Sequence, residues 1–315
     1  MKNLKKIKGD ASFRRFFRKK NNKLSSIVVF AKKDKFKNLL IYDAINKILI
    51  KNKILAPRLL QENYNKNYIE IQDFGNETIF KKLKKTKKKE IIYFKKVISL
   101  LNQIQLIKNK KIKNFKKKNY TIPKYNKKTL IDEANQFCNW YAKENLSNKK
   151  KYKFTKKFKK IIKKLTYSLK LKNDVFVHRD FHVSNLMLVG SKLGVIDNQD
   201  ALIGNKAYDL ASLIDDVRYK TSKTLKDKIY ELYLSKQKRL DKNKFQNDFE
   251  ILSILRNLKI IGIFTRLATR DNKKNYLKLI PYAWTLINMR INRNKIFTDL
   301  KNLLNQNFKN KLYEN

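Results

Sequence analysis

The chain has 315 residues, of which 77 are Lys or Arg and 26 are Asp or Glu, for a formal net charge of +51. With 42% hydrophobic residues it can bury a core, which excludes simple disorder. The single cysteine, Cys138, excludes an intramolecular disulfide and a cysteine-built zinc site, the two histidines leave little for a His-rich metal centre, and no apolar run approaches the roughly 20 residues of a membrane span.

The first residues, Met1 to Lys6, are basic with no apolar stretch after them. They do not read as a secretory signal, and a cytoplasmic setting is expected. Residues 11–18 and 26–31 predict strands around an Asn21-Asn22 turn. Residues 36–51 predict a helix, because Leu39, Leu40, Ala44, Ile48 and Leu49 recur at helical spacing, and Ala56-Pro57 ends it. Tyr64 to Asn67 predicts a turn, followed by a strand over 68–72. From about residue 78 helix dominates. Residues 80–108 predict one helix with Ile91, Ile92, Phe94, Val97, Ile98, Leu101 and Ile104 on a broad face. Helices over 130–146 and 150–171 follow. In the latter, Tyr152, Phe154, Phe158, Ile161, Ile162 and Leu165 form a stripe that reads as core, with lysines elsewhere. Only 175–177, 186–189 and 193–196 interrupt as short strands, and helices resume at Lys206. The layout is α+β: a sheet-rich N-lobe over 1–75 with one helix, then a helical C-lobe over 76–315.

A charge of +51 invites a nucleic-acid reading. The excess, however, is lysine, and asparagine and isoleucine are also abundant; all three have A/T-rich codons. The lysine runs at 81–89, 108–118 and 149–164 are spread along the chain, whereas a nucleic-acid footprint gathers in one patch with interleaved arginine and aromatics. Solvated lysine faces are expected, with no specific nucleic-acid partner and only weak binding at low salt.

Scarce residue types concentrate in a few segments. His178 and His182 share one five-residue stretch, and Gly9, Gly190, Gly194 and Gly204 lie in or beside the segments that follow. An apolar strand enters the polar loop His178-Arg179-Asp180-Phe181-His182-Val183-Ser184-Asn185; a hairpin and a second apolar strand then end on Asp197. Phosphoryl transfer from ATP needs a carboxylate to orient the acceptor hydroxyl, oxygen ligands for magnesium and positive groups on the phosphates. Asp180 can be the first, and Asn185 and Asp197 can ligate the metal. The spacing is that of H-R-D-x-x-x-x-N followed by an aspartate after a short hairpin. The alternative is a polar turn whose Asp and Asn only cap backbone groups. Asp73-Phe74-Gly75 spells the kinase metal-binding triplet, but it lies about 100 residues ahead of a loop it should follow, so Asp73 reads as a turn residue at the hinge.

No G-x-G-x-x-G and no G-x-x-x-x-G-K-[ST] occurs, which excludes Rossmann and P-loop readings. For the phosphates, Gly9, Ala11 and Ser12 permit close backbone approach, and Arg14 or Arg15 adds charge. Strand alternation puts those two arginines on opposite faces, so at most one of them points at ligand. Cys138 reads as a core thiol, and His182 as either a loop residue or a pocket wall.

The opening block from Gly9 to Arg18, the hinge from Tyr68 to Gly75, the loop from His178 to Met187, the segments Asp197 to Ala201 and Tyr208 to Leu213, and the helix from Leu258 to Leu267 together carry a family resemblance. The sequence resembles the aminoglycoside phosphotransferase/choline kinase-like superfamily, and more closely the bacterial N-acetylmuramate/N-acetylglucosamine kinases. The resemblance implies a bilobal protein-kinase-like fold, ATP with Mg2+, and a small sugar phosphorylated at its anomeric C1 hydroxyl in cell-wall recycling. It makes Asp180 the base and Asn185 and Asp197 the metal ligands, puts Gly9, Ser12, Arg14 and Arg15 at the nucleotide, and makes His178 and Asp209 structural supports of the loop. Two departures stand out. Asn198 replaces a usual aromatic residue, and residues 27–31 contain no strand lysine, with Lys32 and Lys33 only beyond them, so Arg14 or Arg15 substitutes. Alternatives keep the fold with another acceptor (an aminoglycoside, a choline-type amino alcohol or a protein), or make it a degenerate kinase fold that binds nucleic acid.

Overall fold

A computed structural model describes residues 4–7, 14–21, 24–32, 37–86, 89–308 and 311. The chain divides into one unit of Met1–Pro123 with Val175–Ile203 and a second of Lys124–Asp174 with Gly204–Asn315. The loop 178–185 and Asp197 therefore belong to the same unit as the N-terminal sheet.

In the first unit, β1 (Leu4–Ile7), β2 (Arg15–Asn21), β3 (Leu24–Phe30), β4 (Leu59–Asn63) and β5 (Tyr68–Gln72) form an antiparallel sheet in the order β1-β2-β3-β5-β4. Ile69 and Ile71 are buried while their neighbours in β5 are not, the two-residue period of a strand with one covered face. The cover is α1 (Lys37–Lys51), whose Leu39 and Tyr42 join Val29, Ala31, Ile69 and Ile71 in one cluster. Of the first strand expected, 11–18, residues 15–18 lie in β2 and Arg14 just before it; residues 11–13 lie outside the described residues, as do Asn22, Lys33 and Phe36.

The single helix expected over 80–108 is two, α2 (Ile79–Lys85) and α3 (Glu90–Gln105). Thr86 ends α2, and both its N–H and its hydroxyl donate to the Lys82 carbonyl. Ile92, expected on the apolar face of α3, is exposed. A hairpin of β6 (Lys111–Lys113) and β7 (Asn119–Thr121) follows, contrary to the expectation of only three late strands. Each of its strands offers one partly buried side chain between two exposed ones, too short a pattern to read as alternation.

The chain returns to this unit through β8 (Asn173–Val177), β9 (Leu186–Val189) and β10 (Lys192–Val195). β9 and β10 pair around Gly190-Ser191, and the φ of 58° at Gly190 is what a two-residue hairpin turn demands. The hairpin is tied to the chain after the sheet and first helix. Leu188 N–H donates to the Glu77 carbonyl at 2.8 Å and Val195 N–H to the Leu55 carbonyl at 2.8 Å. Gly194 sits so close to Phe74 that a Cβ there would lie 2.8 Å from the ring. A further unexpected strand, β11 (Leu202–Asn205), pairs with β8.

The second unit is helical: α4 (Lys127–Ala134), a π-helical segment Phe137–Ala142, α5 (Lys143–Asn145), α6 (Asn148–Tyr167), α7 (Ala207–Ile214), α8 (Lys223–Leu234), α9 (Lys242–Thr269), α10 (Ile280–Ile291) and α11 (Thr298–Asn307). α9 is buried on most of its circumference, as its near-continuous apolar sequence from Ile251 requires. Gly262 on α9 meets the Gln136 carbonyl group, which a Cβ would approach to 2.2 Å. α6 buries Phe154, Phe158, Ile162 and Leu165 and turns its lysines outward, but Tyr152, expected in that stripe, is 71% exposed. Phe137 stacks on Phe158 at 5.6 Å and meets Trp284 edge-on at 5.6 Å, which centres the core on an aromatic cluster. Cys138 is buried beside it, and burial pushes its thiol up to about 12. Among the described residues no helix is long and apolar enough to cross a membrane.

Candidate active site

The loop after β8 is anchored by the buried side chains of Phe181, His182, Val183 and Leu186, while other polar residues of the loop stay partly exposed. Asp180, Ser184 and Asn185 are half-buried. The loop closes on itself. His182 N–H donates to the Asp180 carbonyl at 3.0 Å, Asn185 N–H to the His182 carbonyl at 2.9 Å, and Asn185 Nδ2 to the Asp180 carbonyl at 3.0 Å. The last bond fixes the Asn185 amide by its nitrogen and turns its oxygen the other way.

Two contacts join this loop to the strand end that carries Asp197. Ile196 N–H donates to the Asn185 carbonyl at 3.1 Å, and Nε2 of the fully buried His178 lies 3.2 Å from the Ile196 carbonyl. Arg179 Nη1 donates to the Asp200 carbonyl at 3.2 Å. Arg179 and Asp197 both hold left-handed backbone, with φ of 74° and 64°. Such non-glycine conformations cost on the order of 1–3 kcal/mol each and persist where surrounding bonds impose them.

Arg14 reaches this strand end from the start of β2. Its buried guanidinium donates through Nη2 to Asp197 Oδ1 at 2.5 Å and through Nη1 to Gln199 Oε1 at 2.5 Å. The rings of Phe16 and Tyr42 lie 5.6 and 5.5 Å from it. Burial pushes the Tyr42 phenol up to about 12, so it presents a neutral π face to the cation. Gln199 in turn donates through Nε2 to Asp197 Oδ1 at 3.2 Å and to Asp200 Oδ2 at 2.7 Å. Behind Asp197, fully buried Asn198 donates to Asn46 Oδ1 at 2.9 Å and to the Val195 carbonyl at 3.2 Å, and Asn46 donates to the Pro57 carbonyl at 3.0 Å. A polar link to α1 thus fills the position where an aromatic residue was expected.

The structure brings together Asp180 with Asn185, and Arg14 with Asp197. It does not bring Arg15 to them: Arg15 is exposed, with its guanidinium 4.6 Å over Phe30, as strand alternation next to Arg14 requires. Gly9 and Ser12 lie outside the described residues. Asp209 is fully buried in the first turn of α7, in the second unit. Asp73 is a turn residue. It accepts from Gly75 N–H at 2.8 Å and from Arg18 at 2.5 and 2.9 Å. Burial raises its carboxyl, but the hydrogen bonds from Arg18 and Gly75 outweigh that and hold it below the usual range. Tyr42 and Asn46 were not singled out from the sequence, and Gln199 only as the last residue of the Asp197-Asn198-Gln199 segment. Tyr42 and Asn46 had a signal, being polar groups four apart on the buried face of α1.

Among the described residues no three or more His, Cys, Asp or Glu side chains gather to hold a metal. The oxygens assigned to a metal from the sequence are the Asp197 carboxylate, whose side chain is 37% exposed, and the Asn185 amide oxygen. That donor set fits a hard cation that takes its remaining ligands from phosphate and water, as Mg2+ does, and not a closed protein cage.

A sequence model of the phosphotransferase enzyme family matches residues 3–241. An N-acetylmuramate/N-acetylglucosamine kinase of Neisseria meningitidis serogroup B is 29% identical over 283 residues, 86% of this chain and 80% of that protein. Among solved structures, an ethanolamine kinase of Plasmodium vivax superposes with a TM-score of 0.62 at 14% identity, covering 91% of this chain and 82% of the other. An aminoglycoside phosphotransferase solved with streptomycin and ATP gives 0.57 at 14% identity, over 89% of this chain and 94% of the other. At that identity the likeness is one of fold, the bilobal protein-kinase-like α+β arrangement. The match over most of its length makes this chain a member of the phosphotransferase enzyme family.

Proposed function

We propose that this chain transfers the γ-phosphoryl group of ATP to the anomeric hydroxyl of an N-acetylated amino sugar, N-acetylmuramate or N-acetylglucosamine, released in cell-wall turnover. The observation that carries this reading is the loop of His178 to Asn185 joined at Asn185 and His178 to the strand end before Asp197. The choice of acceptor is supported by the name of the relative, which this chain matches over 80% of that protein's length.

Asp180, half-exposed on its loop, orients the C1 hydroxyl and accepts its proton as the phosphoryl group moves to the oxygen. Asn185, through its amide oxygen, and Asp197 would hold Mg2+, and the chemistry the ion supplies when bound is neutralisation of phosphate charge. Arg14 stands in for the missing strand lysine, and Gly9 and Ser12 are proposed to bind nucleotide with it. His178 supports the loop, the N-lobe over 1–75 binds nucleotide, and the chain over 76–315 carries the catalytic loop and the metal segment. A cytoplasmic enzyme has both ATP and the free sugar at hand.

The test is purified full-length protein with magnesium-ATP and a panel of N-acetylmuramate, N-acetylglucosamine, choline, ethanolamine and an aminoglycoside, read as acceptor-dependent ADP release. Release with the two amino sugars is expected. Release only with an amino alcohol or aminoglycoside replaces the acceptor, and release with none from folded protein overturns the reading.

A further inference from the structure

The Arg14–Asp197 pair occupies Oδ1, one of the two oxygens of the carboxylate that the proposed function assigns to a metal. Arg14 brings a cationic, planar guanidinium to that carboxylate. Its side chain is 3% exposed, so it needs a counter-charge where it lies. Asp197 supplies one, and the planar fork spans two acceptors at once, Asp197 Oδ1 and Gln199 Oε1, both at 2.5 Å. A divalent cation on the same carboxylate would put two positive centres side by side against one negative charge. A phosphate chain changes that balance, because its several negative oxygens can accept the arginine and the metal together.

We infer that Arg14 holds the place of a divalent cation on Asp197 in the nucleotide-free protein and passes to the phosphates when nucleotide binds, so that metal enters as the nucleotide chelate and not ahead of it. This rests on the reading of Asp197 as a metal ligand. Metal and nucleotide are then positively coupled through one side chain, and each raises the affinity for the other by the same factor. The arrangement also gives a reason for Gln199. Its Oε1 holds one arm of Arg14 and its Nε2 donates to the same Asp197 oxygen, so it steadies the metal-free state from both sides. Arg15, its neighbour, cannot share this task, because it faces Phe30.

The probe is Mn2+ alone, with free ion counted by electron paramagnetic resonance, titrated into full-length protein without nucleotide and again with ADP. The unmodified protein is expected to bind Mn2+ weakly alone and more tightly with ADP. Arg14→Gln is expected to tighten nucleotide-free Mn2+ binding roughly tenfold, the low end of what a charge-assisted hydrogen bond is worth, and to shrink the gain from ADP. Gln199→Met keeps the arginine and removes one of its acceptors; it should shift Mn2+ affinity in the same direction by less, and it carries the test if Arg14→Gln does not fold. Nucleotide-free affinity that is unchanged or weaker in these variants, with binding lost in Asp197→Asn, overturns the inference and leaves the metal site standing. Mn2+ binding that is indifferent to Asp197→Asn overturns the metal reading itself.

Discussion

Asp215, just past α7, is a fully buried acid paired with two buried cations, and its replacement by asparagine is a sharp test of what holds the helical unit together. Its fully buried carboxylate accepts from Arg290 Nε at 3.0 Å and Nη2 at 3.2 Å, from Lys226 Nζ at 3.2 Å and from Ser253 Oγ at 2.6 Å. Three helices, α8, α9 and α10, thereby meet at the end of α7. Burial pushes the carboxyl up, but the charges of Arg290 and Lys226, with the hydrogen bonds from Arg290 and Ser253, outweigh it and hold the group well below the usual carboxylate range. Asp215→Asn keeps the shape and leaves two buried cations facing a neutral amide. Removing one partner of a buried pair costs about 3–5 kcal/mol. With a urea slope of about 3 kcal/mol per molar for a chain of this size, the unfolding midpoint should fall by roughly 1.3 M. The assay is urea unfolding of the full chain followed by far-ultraviolet circular dichroism at pH 7. A carboxyl with a depressed folded pKa stabilises above its unfolded value and loses that contribution as pH falls through the folded one. The gap between the two proteins should therefore hold from neutral pH to about pH 5 and narrow only in strong acid. Adding Arg290→Met should cost less than the sum of the single changes, because the pair is already broken. A loss below about 1 kcal/mol for Asp215→Asn would refute the reasoning, since it would put the pair in the range of exposed ion pairs.

Three further outcomes follow from the same geometry. Gly262→Ala places a methyl group 2.2 Å from the Gln136 carbonyl, a backbone obstacle that cannot rotate away; a loss of about 3 kcal/mol is expected in thermal unfolding, and a variant as stable as the parent contradicts the packing of α9 on the π-helical segment. Asp73→Asn breaks the Arg18 pair and should cost about 1–2 kcal/mol at pH 7; because the Asp73 carboxyl is held below its usual range, the cost should shrink as pH falls through that value, and a pH-independent cost refutes the assignment. Asp180→Asn should slow sugar phosphorylation by at least about 100-fold while ATP binding by calorimetry persists, and retained turnover removes Asp180 from the base role.

The parts of the molecule that could be read from the chain are those whose information is local. β5 and β9 fall where short apolar or alternating runs are bounded by turn residues, and their limits match the expectation residue for residue. The loop around Asp180 was legible because its chemistry lies in a few closely spaced polar residues next to buried apolar anchors. β6 and β7 were not, because three-residue strands of lysine, asparagine and a lone apolar side chain carry no period. The break between α2 and α3 was hidden by lysines that suit helix and solvent alike. The choice between Arg14 and Arg15 needed the sheet: alternation says that they face opposite ways, but only the position of α1 and of the strand end says which way is inward. Asp215 and Arg290 stand 75 residues apart, and no local pattern joins them. The charge of +51 was equally uninformative about the site, whose polar contacts use one buried arginine and a handful of acids and amides.

The central claim is transfer of phosphate to the anomeric oxygen of an N-acetylated amino sugar. It is tested most directly by phosphorus and carbon nuclear magnetic resonance of the product formed from N-acetylglucosamine and magnesium-ATP by the full-length protein. The account predicts a phosphate coupled to C1 and loss of the free reducing end. Phosphate on another carbon, or no phosphorylated sugar from folded protein that binds ATP, would contradict it.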